Sequence, residues 1–90
     1  MGRRSQLDII FDMLRAVQEK GGEIMPTHML YKANLSHKQL KRYVAKLEKK
    51  GFLEVEEREG DSEVFVITRK GQLYVHKIRE MRDFEDTFGL

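Results

Sequence analysis

Apolar residues recur at Leu7, Ile10, Phe11, Leu14 and Val17, a spacing that lines one face of a helix. Ser5 stands at its expected N-cap, with Asp8 three residues on as an aspartate form of the capping box, and Gly21-Gly22 stops it. Glu23-Ile24-Met25 suits a short strand. Pro26 then breaks the chain, and Thr27 is the expected cap of a brief second helix, Met29-Leu30-Tyr31-Lys32-Ala33. Asn34-Leu35-Ser36 reads as a tight turn, with Ser36 capping a third helix whose Leu40, Tyr43, Val44 and Leu47 share a face. Gly51 sits where such a helix ends in the left-handed conformation.

After Gly51 the pattern changes. Phe52 to Glu59 and Ser62 to Thr68 are rich in β-branched and aromatic residues, and Gly60-Asp61 supplies a two-residue turn between them, so a hairpin is expected. Thr68 or a neighbour starts a last helix with Leu73, Tyr74, Ile78, Met81, Phe84 and Phe88 along one side. The chain carries no linker, repeat or low-complexity tract, and its 90 residues suit a single α+β domain over 1–90. Tyr31, Tyr43 and Tyr74 lie at helical spacing among apolar neighbours, which assigns them to the core.

Composition narrows the chemistry. Cysteine is absent, which excludes disulfides, thiolate metal sites and a cysteine nucleophile. With 36% charged residues and no long apolar run, no membrane span is expected, and the start of the chain does not resemble a signal peptide, so a cytoplasmic location is expected. His28, His37 and His76 lack metal-ligand spacing, so no metal or other cofactor is expected. The acidic residues have no apolar pocket around them to shift a pKa, no glycine-rich phosphate loop occurs, and no catalytic residues are assigned.

Charge distribution says more than the net charge of +2. Residues 36–50 carry Lys38, Lys41, Arg42, Lys46, Lys49 and Lys50 against Glu48 alone. Residues 52–63 carry Glu54, Glu56, Glu57, Glu59, Asp61 and Glu63 against Arg58. Adjacent blocks of opposite sign predict one basic and one acidic surface. On the third helix the apolar residues take one side, and Lys38, Arg42, Ala45 and Lys49 fall opposite with Lys41 beside them. Two helices joined by a tight turn, the second one basic and followed by a hairpin, form the winged-helix plan, whose second helix enters a DNA major groove. The predicted DNA-binding residues are Ser36, His37, Lys38, Gln39, Lys41, Arg42 and Lys46 on that helix, Arg58 at the hairpin tip, and Arg3 and Arg4 as an arm. Gln39 and His37 are the neutral candidates for base contacts.

The stretch Tyr31-Lys32-Ala33-Asn34-Leu35-Ser36, followed by Leu40, Tyr43, Leu47, Gly51-Phe52-Leu53 and Val66-Ile67-Thr68-Arg69-Lys70-Gly71, resembles small archaeal winged-helix transcriptional regulators. That family includes chromatin-type proteins that dimerise through a C-terminal antiparallel coiled coil. Arg3-Arg4-Ser5 with Leu7-Asp8-Ile9 also looks like its opening. The resemblance implies a dimeric binder of double-stranded DNA, with residues 1–71 as the winged-helix body and 72–90 as an added dimerisation helix. An antiparallel copy with Met81 on the two-fold axis pairs Lys77 with Glu85, Tyr74 with Phe88 and Ile78 with Phe84, which makes these residues the expected dimer interface. The acidic wing departs from the family pattern, because a wing that grips phosphate usually carries Arg or Lys at its tip. The alternative is a winged helix that binds a protein through that wing.

Overall fold

A computed structural model describes residues 4–89, so Arg3 of the expected arm lies outside the described residues. The elements are α1 (Gln6–Glu19), β1 (Glu23–Ile24), α2 (Pro26–Lys32), α3 (His37–Lys49), β2 (Leu53–Arg58), β3 (Ser62–Ile67) and α4 (Arg69–Phe88). The architecture is the α+β order expected from the sequence. The three strands form an antiparallel sheet in the order β1-β3-β2, with Ile24 opposite Phe65 and Val55 opposite Phe65 on its other side.

Helices α1, α3 and α4 start where a side chain satisfies free backbone N–H groups. The Ser5 hydroxyl accepts from the Asp8 N–H, and the Asp8 carboxylate accepts from the Ser5 N–H. Ser36 and Gln39 repeat this exchange at α3, and the Thr68 hydroxyl accepts from the Gly71 N–H at α4. The second helix differs from expectation. Pro26 does not stop the chain before it but occupies its first turn, with Met25 as the cap, because proline's missing N–H has no helical partner to lose there.

The hairpin turn also differs. Arg58 is opposite Ser62, which leaves the three residues Glu59–Asp61 as the connection, and Gly60 and Asp61 adopt left-handed φ values of 75° and 60°. The core gathers Phe11, Met13, Leu14 and Val17 of α1, Met29 of α2, Tyr43, Val44 and Leu47 of α3, and Phe65 and Ile67 of β3. No described helix is long and apolar enough to cross a membrane.

In α4 the residues turned into the core are Gly71, Val75 and Ile78, so the buried stripe runs one step away from the expected one. The sequence alone does not single out Val75, because Leu73, Tyr74, Met81, Phe84 and Phe88 compete with it for the apolar face. Arg82 continues the inner stripe. Its guanidinium lies 4.2 Å from the Phe11 ring centroid and 2.7 Å from an Asp8 carboxylate oxygen, tying α4 to the start of α1. Hydrogen bonds from the Ser5 backbone N–H and side chain, reinforced by Arg82, hold the Asp8 carboxyl below the usual carboxylate range.

Candidate nucleic-acid interface

The turn between α2 and α3 sets what α3 can present. Asn34 takes a left-handed φ of 54°, and the Leu35 N–H donates back to the Leu30 carbonyl at 2.9 Å. Leu35 is buried and anchors the turn, after which Ser36 caps α3. With Tyr43, Val44 and Leu47 buried, the opposite face of α3 is left to solvent, and Lys38, Lys41, Arg42, Ala45, Lys46 and Lys49 are all exposed there.

The cations of that face are not neutralised by carboxylates of the described residues. Among the described residues, salt bridges occupy Arg4, Arg15, Lys32, Arg58 and Arg82, whereas Lys38, Lys41, Arg42, Lys46 and Lys49 make none. From Ile24 through Leu47 the chain contains no Asp or Glu, a signal readable in the sequence, while in space Lys32 of α2 meets Glu19 and Lys41 shares a groove with Glu48 and Glu63. Arg42 is additionally held in place. Its guanidinium carbon lies 4.9 Å from the Tyr43 ring centroid, and it donates to the Tyr43 hydroxyl at 3.3 Å. Gln6 at the start of α1 adjoins Arg42 and Lys46, so the basic surface continues to the edge of α1.

Several expected contacts are engaged elsewhere. The Gln39 side-chain oxygen accepts the Ser36 N–H at 3.0 Å, so this side chain is folded back on the helix cap instead of extending as a neutral reader. His37 and Ser36 remain exposed at the start of α3. Arg58 does not reach outward from the hairpin tip. It donates to Glu23 at 2.9 Å and Glu56 at 2.8 Å, and these carboxylates raise its pKa further. Arg4 is no free arm either, since it bonds Asp12 and two backbone carbonyls. Tyr43 is buried and Tyr74 packs on Phe52, but Tyr31 is 76% exposed, because α2 turns Met29 and Ala33 inward and Tyr31 falls on its outer side.

A basic helix set by a tight turn and followed by an antiparallel hairpin is now in place as geometry. The sequence profile of the winged helix-turn-helix family matches residues 3–86. The chain belongs to the winged helix-turn-helix family. It is 35% identical over 79 residues to the uncharacterized protein MJ0290 of Methanocaldococcus jannaschii, a match that covers 88% of this chain and 34% of that protein. The chain therefore spans about a third of the length of this curated relative.

Among solved winged-helix structures, Sso10a-2, a DNA-binding protein from Sulfolobus solfataricus, superposes with a TM-score of 0.81 at 27% identity, covering 94% of this chain and 85% of that one. The transcriptional regulator BldR from the same organism superposes with a TM-score of 0.75 at 20% identity, over 89% of this chain and 58% of that one, a likeness of fold.

The wing of this winged helix is acidic in space as well as in sequence. Glu54, Glu56, Glu57, Glu59, Asp61 and Glu63 are exposed, and Glu57 is opposite Glu63 across the ladder, a like-charge pair that disfavours pairing there. Lys41 and Glu63 line a groove of about 350 Å³ between α3 and the hairpin, floored by Leu40, Val44, Val55 and Phe65, and do not form a salt bridge across it. Among the described residues no group of three or more His, Cys, Asp or Glu side chains could hold a metal ion.

Proposed function

We propose that this chain binds double-stranded DNA as a transcriptional regulator or chromatin-type protein, with α3 in the major groove. The observation that carries the reading is the row of five exposed cations on α3, none of them paired with a carboxylate, on the helix that follows a helix-turn-helix turn. The run from Ile24 through Leu47 carries no Asp or Glu, which a polyanion favours, and Glu48 and Glu63 lie at its edge beside Lys41. The name of Sso10a-2 as a DNA-binding protein supports the same reading.

Within that surface the residues divide by role. Arg42, held by Tyr43, is the base reader, while Lys38, Lys41, Lys46 and Lys49 meet phosphate. Arg42→Ala should lower affinity for a selected site by about five- to a hundredfold and flatten discrimination between sequences. Lys49→Ala should weaken all duplexes about equally and reduce the log–log salt slope by about 0.9. Titration of each variant against two unrelated labelled duplexes checks the division. Equal, sequence-independent losses at both positions would confine α3 to the backbone. No binding at low salt would favour the acidic wing as a protein-binding surface.

The reading includes a homodimer built on α4. Leu73, Met81, Phe84 and Phe88 are 55%, 45%, 58% and 65% exposed, and Phe84 and Phe88 stack with centroids 4.7 Å apart. Lys77, Met81, Phe84 and Phe88 fall at steps of four, three and four, the spacing of one coiled-coil seam. An antiparallel second copy with Met81 on the axis covers it with matching charge, because Lys77 then meets Glu85 and Arg79 meets Asp83.

Two members of the expected interface belong to the protomer instead. Ile78 is 7% exposed in the core, and Tyr74 stacks on Phe52 at 4.7 Å, so the pairs Ile78 with Phe84 and Tyr74 with Phe88 do not form the seam. Sedimentation equilibrium at micromolar concentration should find a dimer for the wild type and a monomer for Met81→Lys, since a lysine mid-seam is desolvated without a partner. A monomeric wild type, or a mutant that stays dimeric, would count against this seam.

A further inference from the structure

We propose that Arg4 is a positioning residue for α3: it holds the turn between α2 and α3 in shape and does not itself touch nucleic acid. The proposal rests on the DNA-binding reading above. One guanidinium reaches three acceptors, one on α1 and two in the turn that follows α2. Its Nη1 donates to Asp12 of α1 at 2.9 Å and to the Ala33 carbonyl at 2.6 Å, and its Nη2 donates to the Asn34 carbonyl at 2.7 Å. The planar fork of arginine holds its donors in fixed directions and so serves all three, where a lysine would offer a single point of charge.

The place it grips needs outside support. With seven residues, α2 is too short to persist by itself; the Met29, Leu30 and Tyr31 carbonyls accept from the Ala33, Leu35 and Asn34 N–H groups, and the Ala33 and Asn34 carbonyls beyond them are the ones that Arg4 meets. Ala33 is its C-cap, and Asn34, the next residue, holds a left-handed φ that a non-glycine side chain adopts at a cost. Leu35 and the Ser36 cap follow directly, so the direction in which α3 leaves the turn depends on the backbone that Arg4 holds.

Arg4 is partly buried, with its side chain 33% exposed, and reaching for phosphate would mean giving up all three bonds. If the turn loosens, only a fraction of molecules presents α3 correctly, and the apparent affinity falls by that fraction while the number of phosphates met stays the same.

The test compares Arg4→Gln and Arg4→Lys with the wild type in two measurements: duplex binding by fluorescence anisotropy over a salt series, and amide hydrogen exchange by NMR. For Arg4→Gln the expected result is binding about tenfold weaker at every salt concentration, with an unchanged log–log slope. The Asn34 and Leu35 amides should exchange faster while those of Phe65 and Ile67 keep their protection. Arg4→Lys should recover only a minor part of both, which keeps the comparison readable if the glutamine variant folds poorly.

A slope reduced by about 0.9 with normal exchange at the turn would make Arg4 a phosphate contact and overturn the proposal. Unchanged affinity would overturn it too, as would a loss of protection spread evenly through the sheet, which marks a general stabiliser. A wild-type chain that binds no duplex would sink the DNA reading itself, and this proposal with it.

Discussion

Raising salt from about 50 to 200 mM should weaken DNA binding by roughly 300- to 1000-fold. The arithmetic follows from the α3 face. Five cations there make no salt bridge, and each phosphate neutralised contributes about −0.9 to the slope of log affinity against log salt, so about four to six contacts give −4 to −5. Arg4, Arg58 and Arg82 do not add to this count, because carboxylates of the same chain already hold them.

The hairpin acts in the opposite sense. Its exposed carboxylates repel phosphate at low salt, and that repulsion is screened along with the attraction. A slope near −4 is therefore expected if the wing lies close to the duplex and near −5 if it stands clear. Equilibrium titration of a labelled duplex at several salt concentrations measures it. A slope near zero, with binding retained, would mean that the α3 lysines do not meet phosphate.

Gly71→Ala should destabilise the protein by about 3 kcal/mol or more, lowering Tm by roughly 12 to 24 °C for a domain of this size. Gly71 is the third residue of α4 and is buried. A Cβ built on it would fall well inside contact distance of the Phe52 carbonyl oxygen and 2.9 Å from Cγ1 of Ile67. The nearer obstacle is backbone and cannot rotate away.

That carbonyl is also fixed by its own hydrogen bond from the Thr68 N–H at 3.1 Å, in a junction where the Thr68 hydroxyl donates to the Gly51 carbonyl and the Lys70 ammonium to the Lys50 carbonyl. Moving α4 outward to admit a methyl group would break these bonds and unseat Val75 and Ile78. Thermal unfolding followed by circular dichroism checks it. A Tm within a few degrees of wild type would show that the junction yields, and the same experiment on Gly60→Ala offers a contrast, since that position is open and strained only by its φ of 75°.

What the chain determines locally is legible in the sequence itself. The caps at Ser5 and Ser36, the left-handed helix end at Gly51 and the change of apolar period after Gly51 each depend on a few neighbouring residues and stand in the structure, whereas α2 is capped by Met25 and not Thr27 and the hairpin turn has three residues and not two. The basic face of α3 was equally readable, because helical geometry alone places Lys38, Arg42 and Lys49 opposite Tyr43 and Leu47.

Long-range partners were not legible. Arg4 and Asn34 are 30 positions apart, Arg58 and Glu23 are 35 apart, and Arg82 and Asp8 are 74 apart, so the charges that looked free in sequence were neutralised by residues the chain brings back from elsewhere. The same reason decides α4. Its apolar residues outnumber those one face can bury, and only docking on α1 and the sheet selects Val75 and Ile78 for the core, leaving Met81, Phe84 and Phe88 outside. Local sequence chose the elements and the sign of the charge on α3. Tertiary packing chose which arginines remain available and which side of the last helix faces out, because both are settled by contacts between segments distant in the chain.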